Sequence, residues 1–248
     1  MRLDKAQGEC ERQEMNISAH ALLTARQTGE RLQALPDAPA SMADAVLIQQ
    51  AVQQALGPIG GWKVGSPGPD GPITCSPLPA SGIGAGAPQH GFIEGEIAVV
   101  LAHDLPVREA PYLDAEIFAA IGSAHPAIEV LDSRFASDPD PWSGLADAGG
   151  HAGLVLGPAI ENWADVDFET ETVAVFVDGA VVKRGMGNPS GPMLRLLRWM
   201  VETGACWDGG LRAGQVITTG SWTGKDLVVP GQAARVTFTT CGTIALPG

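Results

Sequence analysis

The sequence predicts an α+β protein in which a helical N-terminal lobe precedes a long β-rich domain. Three observations predict it. Apolar stripes at helical spacing gather before Pro58, short β-branched runs alternate with glycines after Gly60, and 32 glycines and 19 prolines in 248 residues supply the many turns that short strands need.

Residues 1–15 are charged and aperiodic, so they read as a disordered tail. Residues 16–60 read as the helical lobe. From Ile17 to about Leu35 the positions Ile17, Ala21, Ala25 and Leu32 share a face, and Pro36 and Pro39 end the helix. Ser41 is placed to cap a second helix, Asp44 favours its positive end, and Ala45, Ile48, Val52 and Leu56 form its stripe before Gly57 and Pro58.

Residues 61–248 read as the β-rich catalytic domain. Strands are expected at 61–64, 92–101, 127–131, 154–156, 172–177, 216–219 and 235–238, with one long loop over 66–91. Asp178-Gly179, between two β-branched runs, is a two-residue hairpin signal because a type I′ turn needs positive φ at both central positions. Two further helices are expected, over about 113–124 and from Pro192 to Gly204.

Composition excludes several classes. Fifteen Lys and Arg against 28 Asp and Glu give a net charge of −13, which argues against a nucleic-acid partner because phosphate neutralisation needs a broad basic face. No apolar run approaches the ~18 residues of a membrane span, and the polar N-terminus lacks an apolar signal region, so a cytoplasmic location is expected. Cys10, Cys75, Cys206 and Cys241 have no CxxC spacing and read as reduced thiols.

The chemistry concentrates in Phe92–Leu101, FIEGEIAVVL. On a strand, residues two apart face one side, so Glu94 and Glu96 project together with Cα atoms ~6.6 Å apart. Their repulsion and desolvation at the edge of an apolar strand are relieved by a divalent cation; the competing reading is a solvated polar face on an edge strand. Glu129 likewise interrupts the apolar run of Ala127-Ile128-Glu129-Val130-Leu131, where an ion pair with its neighbours is the alternative. Three carboxylates suit Mg²⁺ or Mn²⁺ and leave about three octahedral positions open. Lys63, in Gly61-Trp62-Lys63-Val64-Gly65, is a candidate base or carboxylate-binding cation if partly buried, and otherwise a lysine that reaches solvent. Ser221 in Thr219-Gly220-Ser221-Trp222-Thr223 offers a hydroxyl and an N–H to a substrate carboxylate, and Arg134 either holds a carboxylate or pairs with Asp132.

In their order and spacing these residues resemble a known family. GWKVG at 61–65, the Glu94-x-Glu96 strand, AIEVLDSR at 127–134, the VDG hairpin with Gly185 and Gly187, and LRAGQVITTGSWTG at 211–224 are similar to the 2-keto-4-pentenoate hydratase group of the fumarylacetoacetate hydrolase superfamily over about residues 17–246. The resemblance implies a twisted mixed β-sheet roll or barrel behind the helical lobe. It implies Mg²⁺ or Mn²⁺ on Glu94, Glu96 and Glu129, with Lys63 nearby for proton transfer, and a homo-oligomer. The substrate it implies is a small 2-keto or 2-hydroxydienoic acid from aromatic catabolism, hydrated at its distal double bond. The alternatives are decarboxylation of a 2-keto-3-enedioate, C–C hydrolysis of the fumarylacetoacetate type, or a non-catalytic partner subunit. The chain departs from the hydratase pattern: the stretch between Lys63 and Glu94 is short and leaves only Asp70, in a Pro-Gly loop, for the acid hydratases carry there, and Asp147-Ala148 stands where Asp-Asn is usual. None of His20, His90, His103, His125 and His151 sits in a Glu-paired motif, although His90 directly precedes the acidic strand.

Overall fold

The computed structural model describes residues 17–84, 87–203, 207 and 209–248. The expected tail, Cys10 and Cys206 lie outside them. The described residues form two compact units, one running to Pro58 and including Asp132–His151, the other comprising Ile59–Leu131 and Ala152–Gly248.

In the first unit a helix covers 17–28 and ends at Gly29, whose φ of +76° a glycine adopts readily, so it is shorter than the periodicity predicts. The second helix, Met42–Leu56, is capped by Ser41, whose Oγ accepts from the Asp44 amide, and is closed by Gly57. A short helix, Pro141–Ala146, joins them; Asp140 caps it by accepting from the amides of Trp142 and Ser143. Leu22, Leu35, Ile48, Val52, Phe135 and Ala146 share the apolar cluster of this unit.

The second unit holds thirteen strands among the described residues, if the strand that begins at His151 is counted with it: β1 (Ile59–Gly65), β2 (Thr74–Pro79), β3 (Gly91–Leu101), β4 (Leu105–Pro106), β5 (Ile121–Leu131), β6 (His151–Leu156), β7 (Thr172–Val177), β8 (Ala180–Met186), β9 (Gly210–Leu211), β10 (Val216–Thr218), β11 (Asp226–Val228), β12 (Ala234–Phe238) and β13 (Gly242–Leu246). They form a mixed seven-stranded sheet in the order β2-β1-β10-β3-β5-β6, with β11 also paired to β3. A four-stranded sheet follows the order β13-β12-β7-β8, and β4 pairs β9. The β7–β8 turn is the expected hairpin, with φ of +48° at Asp178 and +81° at Gly179.

Alternation on β3 divides the large sheet into two faces. Ile93, Ile97 and Val99 join Trp62, Ile128, Val130, Val175, Val236 and Phe238 in the main core, each such side chain contributing ~1.5–3 kcal/mol by leaving water. Gly95 belongs to that face, and a Cβ there would lie 2.7 Å from Val236 Cγ1, so glycine lets β12 pack directly behind the acidic strand. The opposite face carries a smaller cluster of Leu78, Ala98, Ala127, Leu154 and Val216, and then the carboxylates.

Two expectations about elements are corrected. The stretch 66–91 is not a single loop, because Thr74–Pro79 pairs antiparallel with β1. Pro77 and Pro79 disguise that strand, but it lies at the sheet edge, where a missing N–H is tolerated. The helix expected over 113–124 spans only Asp114–Ala120, and Ile121–Ala124 already belongs to β5. Gly122 and Ser123 are weak helix formers, and pairing with β3 takes them into the sheet.

Candidate metal centre

Antiparallel register sets Glu94 of β3 directly opposite Glu129 of β5, and Glu96 follows two residues along on the same face. One carboxylate oxygen from each of the three lies within 4.8 Å of the others. Glu96 and Glu129 are buried, whereas Glu94 is half-buried at the outer end.

Lys63 meets this cluster from β1. Its Nζ lies 2.6 Å from Glu129 Oε1. Two strands, β10 and β3, separate β1 from β5, a span of about 14 Å across a flat sheet. A lysine and a glutamate cannot bridge that distance, so the ion pair exists because the sheet curls. Trp62, the neighbour of Lys63, points the other way into the core, where its Nε1 donates to Gln215 Oε1 at 3.3 Å.

Electrostatics set this cluster apart from a settled ion pair. Burial, reinforced by the charges of Glu129 and Glu94, pushes the Glu96 carboxyl well above the usual carboxylate range; Lys63 and the Thr218 hydroxyl offset only part of this. Burial also raises Glu94, against the pull of Lys63, Lys225 and a hydrogen bond from Ser221. Burial alone lowers the Lys63 ammonium, but Glu129, Glu94 and Glu96 together outweigh it and hold the proton on Nζ more firmly than usual. Three acids thus share one lysine. Glu96 Oε2 is buried without a hydrogen-bond partner, and this orphaned hard oxygen beside two other carboxylates fits a divalent cation.

Ser221 lies at the rim, where its hydroxyl bonds to Glu94 and also accepts from the Gly224 amide at 2.9 Å. Arg134 is different: its Nε donates to Asp147 Oδ1 at 2.6 Å and its Nη2 to the Asp147 carbonyl at 3.0 Å. The expected pairing with the Asp132 side chain is therefore corrected; that carboxylate binds Arg31, while Arg134 reaches only the Asp132 carbonyl. In the sequence Asp147 stands out only for the missing amide beside it. Its partnership with Arg134 joins residues 13 apart, a separation that no local pattern reveals.

Asp70 is exposed and stands outside the carboxylate cluster. His90 is exposed too, and His125 is engaged by Ser123 Oγ and the Gly157 carbonyl. Among the described residues no histidine joins the carboxylate group. A cavity of about 290 Å³ lined by Ile97, Phe168, Met186, Asn188, Met193 and Trp222 meets β3 through Ile97, on the face away from the acids. It contains none of the four charged residues of the cluster. Cys75 and Cys241 are both buried. No helix among the described residues is long and apolar enough to cross a membrane.

Comparison with known proteins adds three findings. The model of the fumarylacetoacetate (FAA) hydrolase C-terminal family matches residues 68–246. A 4-oxalocrotonate decarboxylase of Pseudomonas putida is 30% identical over 162 residues, which cover 63% of this chain and 59% of that protein, so the chain spans about six-tenths of the length of this relative. The solved 4-oxalocrotonate decarboxylase from Pseudomonas putida G7, complexed with magnesium and adipate, superposes with a TM-score of 0.80 at 23% identity and covers 95% of this chain and 97% of its own. At that identity the superposition shows the fold, an α+β architecture with a curled sheet.

Proposed function

The chain belongs to the fumarylacetoacetate hydrolase family, and from that premise we propose that it is a divalent-metal-dependent enzyme that decarboxylates a 2-keto-3-enedioate of the 4-oxalocrotonate type. The observation that carries the reading is the cluster itself: three carboxylates, two of them buried, gathered on one lysine with an orphaned oxygen among them. Glu94, Glu96 and Glu129 would hold Mg²⁺ or Mn²⁺. The ion, when bound, supplies Lewis-acid stabilisation of negative charge on a 2-keto carboxylate.

The chain's own residues supply the rest. In decarboxylation the bond to the distal carboxylate breaks, CO₂ leaves, and the electron pair moves through the conjugated chain toward the 2-oxygen. The resulting dienolate must then take up a proton, on the 2-oxygen or on a carbon of the chain. Lys63 keeps one on Nζ beside Glu129, on the face where the substrate would lie, and is the group we assign to that transfer. Ser221, bonded to Glu94 at the rim, orients that carboxylate and offers a hydroxyl to a substrate oxygen.

The choice of decarboxylation over the first expectation, hydration, rests on two supports. Hydration needs an acid or base to deliver water, and Asp70, which stood for it, is exposed and outside the cluster. The 30% identical relative is a decarboxylase. C–C hydrolysis loses support because no described histidine joins the carboxylates. The test is a parallel assay of CO₂ release from 2-oxohex-3-enedioate and of hydration of 2-hydroxypenta-2,4-dienoate, each with Mg²⁺. CO₂ release at a kcat/KM at least about tenfold above hydration supports the proposal; hydration alone restores the first expectation, and neither activity favours a non-catalytic subunit.

A further inference from the structure

Beside the four charged residues of the cluster stands a fifth that the mechanism does not use. Strand β11 pairs antiparallel with β3 in the register Asp226↔Ile93, Leu227↔Phe92 and Val228↔Gly91. Residues opposite one another in an antiparallel pair share a face, with Cα atoms about 5 Å apart. Lys225 immediately precedes the paired stretch, two residues before Leu227, and its charge acts on Glu94. Val228 confirms the alternation by entering the main core, and Leu227 stands exposed with Phe92 on the carboxylate side. The turn before Lys225 is held by the Ser221 hydroxyl, which accepts from the Gly224 amide at 2.9 Å.

Lys225 is exposed and, among the described residues, makes no ion pair within 4 Å, whereas Lys63 is committed to Glu129. The charge of Lys225 acts on Glu94, the one half-buried carboxylate of the three. A lysine reaches about 6 Å from its Cα. A six-carbon dioate whose 2-keto end lies at the carboxylate cluster extends its far carboxylate by a similar length.

Building on the decarboxylase reading, we propose that Lys225 is a specificity-determining residue that binds the distal carboxylate of the substrate and thereby selects dicarboxylates over monocarboxylates. The exposed apolar pair Phe92 and Leu227 borders the rim and suits the hydrocarbon between the two ends. A cation there also resolves a difficulty of the −13 net charge, because a dianion approaching an acidic surface needs a local positive guide. The chemistry constrains the kinetic signature. An ammonium on the departing carboxylate stabilises the ground state, so Lys225 should aid binding and should not accelerate the loss of CO₂.

The experiment is calorimetric titration of the full chain with saturating Mg²⁺, using the unreactive probes 2-oxoadipate and 2-oxohexanoate, which differ only in the distal carboxylate. The wild type should bind 2-oxoadipate about tenfold or more tightly than 2-oxohexanoate, as a charged hydrogen bond implies. Lys225→Met should abolish that preference and leave 2-oxohexanoate binding unchanged, and Lys225→Arg should retain the preference. With the reactive dioate, Lys225→Met should raise KM with kcat equal or higher. If the wild type binds neither Mg²⁺ nor either keto acid, the metal-centre reading fails and this proposal with it. If both probes bind but Lys225→Met weakens them equally, or changes neither, the Lys225 assignment alone is overturned.

Discussion

Two buried charge clusters in this protein, Arg134 with Asp147 and Lys63 with Glu129, look alike as ion pairs and differ in their balance. Asp147 accepts from the Arg134 backbone amide at 3.0 Å and from its Nε at 2.6 Å, and Arg26 approaches at 3.8 Å. One acid is surrounded by two cations and has its oxygens occupied. Around Lys63 the ratio is reversed, with three acids on one cation and a buried oxygen of Glu96 unsatisfied. Desolvation makes either cluster costly, but only the first repays the cost within the chain. The first therefore acts as a structural lock, and the second is where we propose that a positive charge from outside binds.

The largest expected effect separates the two clusters by stability. Asp147→Ala strands Arg134 in a buried site and should cost about 3–5 kcal/mol in denaturant unfolding. Glu96→Gln should do the opposite in the absence of divalent ions, raising stability by about 1 kcal/mol because it removes a repelled, desolvated charge. A loss of stability in metal-free Glu96→Gln would mean that the second cluster is a structural lock as well.

A second contrast uses the ion. At a Mg²⁺ concentration of about 100 times its Kd, wild-type stability should rise by about 2.7 kcal/mol, while Glu96→Gln should gain almost nothing. Thermal melts with and without Mg²⁺ measure both. An equal gain in the two proteins would place the ion elsewhere.

The acidic cluster also predicts a pH dependence that the balanced pair does not. The folded-state pKa of Glu96 lies well above its ordinary 4.5, so between 4.5 and that raised value the native state holds a proton that the unfolded chain has released. Metal-free stability should therefore fall as pH rises through this window, by up to about 1.4 kcal/mol per pH unit for one proton. Glu96→Gln should flatten the slope, as unfolding at a series of pH values would show.

How far the sequence discloses these differences depends on the range of the pattern. The period of two in FIEGEIAVVL is local, so Glu94 and Glu96 can be read as neighbours without coordinates, and the hairpin at Asp178-Gly179 and the cap at Ser41 are equally local. Glu129 is visible as an acid in an apolar run, but its position opposite Glu94 is a matter of register between strands. The contact from Lys63 to Glu129 depends on sheet curl, and the partnership of Arg134 with Asp147 on a chain reversal; neither leaves a periodic trace. The edge strand Thr74–Pro79 escapes for a different reason, since prolines that normally deny a strand are permitted at an edge.

The smallest effect expected is at Asp70. Because it is exposed and apart from the carboxylates, Asp70→Asn should leave Mg²⁺ affinity and CO₂ release within about twofold of wild type. A loss of tenfold or more would return Asp70 to the site and revive hydration.

The central claim is that Glu94, Glu96 and Glu129 form one divalent-cation site, and Mn²⁺ titration followed by electron paramagnetic resonance tests it most directly. The wild type should bind one Mn²⁺ per chain, competed by Mg²⁺, with Glu96→Gln and the double variant Glu94→Ala/Glu96→Ala losing that binding while remaining folded. Unchanged Mn²⁺ binding in those folded variants, or none in the wild type, would contradict the account.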